Sequence, residues 1–165
     1  MRAAANPQLE DLTMWTDALL AYAHYASILM LASYLLCEYL LLRRRDVAPD
    51  PAFLVRIDIG YCIAAAAVLA SGAGRLLFGV KPAAFYLGNP VFHAKIGLFV
   101  LIGLLSIAPT RAFLRWRRLR RADPAWPLPA REQRHIRLLV LIELHLVALL
   151  PLLAALMARG IGYRG

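Results

Sequence analysis

The chain has 165 residues, 61% of them hydrophobic, and carries a net charge of +9. It is too apolar for an ordinary soluble domain, and its length suits one compact membrane unit. Most of the positive charge lies between apolar stretches, so it sets membrane topology and is not read as a nucleic-acid-binding patch. Of the 19 basic residues only Lys81 and Lys95 are lysines. Arginine pairs bidentately with phosphate, which suits contact with anionic lipid headgroups as partners.

In chain order, Arg2 is separated by acidic residues from the first apolar run, which is too long for a signal-peptide core, so no cleavable signal is expected. That run spans Trp15 to Leu42. The second spans Ile57 to Val80, the third Val91 to Ala108 and the fourth Leu138 to Ala158. Each is near the length of about 20 residues needed to cross a bilayer. Lipid offers no partner to free backbone groups, so each is a helix. Pro90 marks the start of the third. The fold class is all-α: an integral membrane four-helix bundle with up-down connections, forming a single domain over 1–165.

The first loop carries Arg43, Arg44, Arg45 and Arg56, the second Lys81, and the third, 109–137, nine arginines from Arg111 to Arg137. The positive-inside rule places the first and third loops in the cytoplasm and both termini outside. Within the third loop, Phe113, Trp116 and Leu119 fall at i, i+3 and i+6 among arginines. This predicts a helix lying at, or leaving, the cytoplasmic interface, against anionic lipid. Pro124, Pro127 and Pro129 make the following stretch a loop.

The second helix is rich in small residues, including Gly60, Ala64, Ser71, Gly72 and Gly74, which let neighbouring helices approach closely. Cys37 and Cys62 lie in separate apolar stretches without a CxxC pattern and read as buried free thiols.

Ionisable side chains inside spans are costly and mark the first places to seek function. They are His24, Glu38, Asp58, Arg75, His93, Lys95, Glu143 and His145. In the first helix Asp17, His24, Leu31 and Glu38 recur every seven residues, with Ser27 and Tyr34 beside them, so one face is polar and faces the bundle. Asp58, Tyr61, Ala65, Val68, Gly72 and Arg75 form a matching line on the second. With alternating directions, His24, Arg75, His93 and Lys95 fall in the outer half, His24 about 13 Å below the surface. Glu38, Asp58 and Glu143 fall in the inner half.

Simpler roles compete for several of these. Arg75 and Lys95 are placed to snorkel to outer headgroups, and His93 sits at a helix start. Asp58 suits the positive end of the second helix or a pair with Arg56, and Glu38 suits a pair with a first-loop arginine. Glu143 and His145 lie about 200° apart around the fourth helix, so only one faces inward. If it is His145, it lies within about one turn of His24 in height. Two histidines on facing helices of such a bundle can ligate haem iron. Haem b is then the expected cofactor, with His24 and Lys95 or His145 as axial ligands and Arg75 on a propionate. No CxxCH, HExxH, Walker or dinucleotide motif is present, and no zinc-type ligand spacing.

The segments AYAHYASILMLASYL, RIDIGYCIAAAAVLASGAGRLLFG and NPVFHAKIGLFVLIGLLSIAPT resemble those of a bacterial family of uncharacterised four-span membrane proteins. The resemblance covers nearly the whole chain. That family is in turn distantly similar to the haem-containing membrane protoporphyrinogen oxidases and to the copper-resistance D-type membrane proteins. The oxidase resemblance implies roles for His24 and Lys95, which match a first-span histidine and a third-span lysine. The chain departs from the oxidase pattern at Ala21, at the end of its first span, LLCEYLLLRRR, and at Ser106. Three functions follow as expectations: a haem-b redox protein acting on porphyrin or quinone, a non-enzymatic scaffold or assembly factor, and a metal or proton-coupled transporter that works as a homo-oligomer.

Overall fold

The computed structural model describes residues 7–44, 48–80 and 83–162. Arg2, Arg45 and Lys81, named above, lie outside the described residues. Five helices follow in order: α1 Pro7–Arg43, α2 Pro51–Phe78, α3 Ala83–Leu87, α4 Pro90–Ala122 and α5 Ala130–Ala158. The four long ones are each long and apolar enough to cross a membrane.

Local chemistry fixes two of the starts. Asp50 Oδ1 accepts the Ala52 N–H at 2.9 Å ahead of Pro51. Asn89 Oδ1 accepts the Val91 N–H at 2.9 Å ahead of Pro90. In both, a short polar side chain satisfies an orphan donor and proline occupies the first helical position, where its missing N–H costs nothing.

The long helices form an antiparallel ring. α1 packs on α2 and α5, α4 packs on the same two, and α1 faces α4 across the diagonal. Glycines bring α1 and α2 together. A Cβ on Gly60 would stand 2.5 Å from the Tyr34 ring, one on Gly72 3.3 Å from His24 and one on Gly74 2.9 Å from Leu20. The small residues of α2 thus serve close packing, specifically against α1. At the far end Gln133 Nε2 donates to the Leu42 carbonyl at 3.0 Å, and Trp116 Nε1 donates to Glu132 Oε1 at 2.9 Å. The interior is apolar, with Leu31, Leu35, Leu54, Phe113 and Trp116 fully buried. So is much of the outside: Leu29, Leu36, Ile63, Leu69, Leu104 and Leu152 are all exposed. An apolar surface of that extent belongs in lipid.

Four boundaries differ from the sequence-based expectation. α1 already begins at Pro7, ahead of Trp15. α4 does not stop at Ala108 but runs on through Pro109 to Ala122. Proline inside a helix costs about 3 kcal/mol. Here the packing beyond it outweighs that cost: Ala112, Phe113 and Trp116 are buried, and Trp116 bonds to α5. The arginine-rich segment is therefore an extension of the third span that turns its aromatic stripe into the bundle instead of laying it on lipid. α2 starts at Pro51, so Asp58 lies two turns inside it and cannot serve its N-terminus. The third loop shrinks to 123–129, because α5 starts at Ala130. Cys37 and Cys62 are free, but both are exposed on the outside of the bundle rather than buried.

Candidate functional site: a cleft around His24 and a closed carboxyl cluster

Polar side chains gather at two levels of the bundle. The first lies where α1 begins, α2 ends, α4 begins and α5 ends. Here the helices enclose a cleft of about 590 Å³ lined by His24, Arg75, Lys95, Phe85, Phe92 and Met157 among others. Leu69 and Ile96 also line it and are themselves exposed, so it opens onto the lipid-facing surface. Its size and mostly apolar walls suit a small-molecule site.

His24 is the anchor. Its side chain is buried, and Nδ1 lies 3.1 Å from Ser71 Oγ. The Ser71 hydroxyl proton is already committed to the Ala67 carbonyl at 2.6 Å. Ser71 Oγ must therefore accept from His24 Nδ1–H, which leaves Nε2 unprotonated. Nε2 faces Lys95 Nζ, which donates to it at 3.4 Å. The contact crosses the diagonal between α1 and α4, where no backbone contact exists. Arg75 completes the group. Its guanidinium carbon lies 5.9 Å from the centre of the Tyr25 ring, a cation–π contact, and its Nε is buried without a hydrogen-bond partner.

The second level lies towards the other end. Glu38 from α1, Asp58 from α2 and Glu143 from α5 are 1%, 4% and 1% exposed. Thr110 of α4 donates to Asp58 Oδ1 at 2.9 Å. Each of the four long helices thus contributes one polar group. Glu38 lies within electrostatic range of both Asp58 and Glu143. Glu38 Oε1 and Glu143 Oε1 are buried with no hydrogen-bond partner. Buried Leu42, Leu54, Phe113, Trp116 and Ile136 close the cluster off on the loop side, and Leu31, Leu35, Ala64, Ile102 and Val147 separate it from the cleft.

The structure brings His24, Arg75 and Lys95 together and leaves His145 out. His145 is exposed on the outer face of α5, its Nδ1 2.7 Å from the Leu141 carbonyl. The residue facing inward is Glu143, so His145 does not meet His24 within the bundle. Lys95 reaches inward to His24 instead of snorkelling. Asp58 pairs with Thr110 and not with Arg56, which is exposed. Glu38 lies near carboxyls and pairs with none of the described first-loop arginines. The one ion pair among the described residues joins Arg115 and Glu132. His93 sits exposed at the start of α4, its Nδ1 3.1 Å from the Asn89 carbonyl. Ser71, which sets the tautomer of His24, stood in the sequence only as one of many small residues. Phe85 and Tyr86, on the short α3, also line the cleft and were not singled out. Among the described residues no three His, Cys, Asp or Glu side chains are placed to share a metal ion.

A family model described as a predicted membrane protein (DUF2214) matches residues 16–162. No curated protein and no solved structure matches the chain.

Proposed function

Since the chain belongs to this family of membrane proteins, we propose a function from the cleft: it binds a lipid-dissolved molecule with an apolar body and acidic groups, and haem b is the cofactor its donors fit. One observation carries the reading. Ser71 fixes His24 with its Nε2 lone pair directed into an apolar cleft that also holds two cations. A ring nitrogen held by a hydrogen bond on its other side is the usual preparation of a ligating histidine. Arg75 and Lys95 are the counter-charges for carboxylates such as propionates. Bound in the cleft, haem iron would supply one-electron chemistry. The chain's own part is to orient the ligand through Ser71 and His24, to neutralise acids through Arg75 and Lys95, and to exclude water with Phe85, Phe92 and Met157.

The transport reading has against it the apolar layer of Leu31, Leu35, Ala64, Ile102 and Val147 between the cleft and the carboxyl cluster. On the opposite face, Arg44, Arg134 and Arg137 line a hollow of about 380 Å³. In our reading that end is cytoplasmic and its arginines take the phosphates of anionic lipids.

The test is an absorption spectrum of protein purified from haem-replete cells. We expect a Soret band that Lys95→Met shifts or weakens and that His24→Ala removes. A colourless wild-type protein that also takes up no added haem would contradict the cofactor. A band unchanged in both variants would contradict the site.

A further inference from the structure

Three carboxyl groups from three helices lie buried at one level beside α4 in the interior of a membrane bundle, and among the described residues no cation meets them. The nearby basic residues Arg43, Arg44, Arg56 and Arg111 are all exposed. The other groups facing the cluster are Tyr61 on α2 and Ser106 and Thr110 on α4. Cys62 and His145, though close in sequence, are exposed on the outside. Only Asp58 has a donor, Thr110, while one oxygen each of Glu38 and Glu143 is buried and unpartnered.

A buried acceptor without a donor is among the least tolerable features of a folded interior, and like charges at one site do not all ionise. A metal ion would cure both faults, but the geometry offers no three-residue ligand set. Apolar layers flank the cluster on both sides. A proton needs no ligand set: it removes the charge, and a neutral acid costs far less to bury than a carboxylate.

We propose that Glu38, Asp58 and Glu143 form a proton-binding site, in which Glu38 and Glu143 are held as carboxylic acids around the Asp58–Thr110 pair. The ligand is the proton itself, stored between two apolar layers. The site is separate from the cleft and independent of what the cleft binds.

Infrared spectroscopy of the full chain in a detergent free of ester carbonyls tests this. At neutral pH acids in water are ionised, so a carboxylic-acid C=O band reports protected protons. We expect such a band in the wild type, moved by deuterium exchange. Its intensity should fall by about half in Glu38→Gln and in Glu143→Gln, two protonated acids contributing alike. A wild-type spectrum showing only carboxylate stretches would overturn the proposal, whether or not the variants fold. So would an acid band that both substitutions leave intact. An acid band that gives way to carboxylate when sodium replaces choline would also overturn it, in favour of a cation site.

Discussion

The two ends of this bundle treat buried polar groups in opposite ways. At the cleft end the groups are basic apart from Asp17, which also lines the cleft, and they open to the lipid side. Ser71 holds His24, His24 accepts from Lys95, and Arg75 stands over Tyr25. At the closed end the groups are acidic, short of donors, and sealed by Phe113, Trp116 and leucines. The difference teaches where each kind of polar residue is useful. A group meant to meet a ligand needs an opening and a fixed orientation. A group meant to keep a proton needs to be shut away from water and cations.

Mutations can break or sharpen this contrast. The largest effect is expected from Trp116→Ala. It empties the centre of the closed end and removes the bond to Glu132, and should lower stability by about 3–5 kcal/mol in reversible unfolding, as large-to-small aromatic changes in cores do. Next is Gly60→Ala, whose new methyl meets the Tyr34 ring and should cost about 1–3 kcal/mol. Gly97→Ala is its control. Nothing lies within 4 Å of that position, so it should be neutral or stabilising by up to about 1 kcal/mol through helix propensity. Equal losses from the two would contradict the close approach of α1 and α2. Ser71→Ala comes third. It removes the bond from His24 and the one to the Ala67 carbonyl, each worth about 1 kcal/mol of stability, yet should weaken ligand affinity at His24 by about 10–100-fold, the usual penalty for losing the partner that orients a ligating histidine. A stability loss with unchanged affinity would make Ser71 a packing residue only. The smallest effect is expected from Glu38→Gln. The amide replaces a neutral acid of the same shape, so unfolding free energy should change by no more than about 1 kcal/mol. A much larger change would mean that a charge was being held there.

Much of this was legible from sequence because it follows from periodicity. The heptad spacing of Asp17, His24, Leu31 and Glu38 turns one face of α1 inward, and the line from Asp58 to Arg75 does the same for α2. What could not be read came from places where periodicity is silent. Ile136, Val140, Glu143, Val147 and Leu150 form the buried stripe of α5. That helix is apolar all round, so nothing in its own sequence favours this stripe over the one through His145; packing against α1 and α4 decides. Ser71 lay hidden among alanines and glycines because its role appears only once His24 is placed opposite. The reach of α4 was obscured by Pro109 and by the arginines after it. They suggest an end to the helix, but the burial of Phe113 and Trp116 carries it on.

The central claim is that the cleft, and not the carboxyl cluster, is where this protein meets its ligand. The most direct measurement is haem titration, followed by absorbance, of the purified wild type, His24→Ala and Glu38→Gln side by side. The account predicts saturable binding in the wild type and in Glu38→Gln, with loss in His24→Ala alone. Binding that survives in His24→Ala, or that is lost in Glu38→Gln while the protein stays folded, would contradict it.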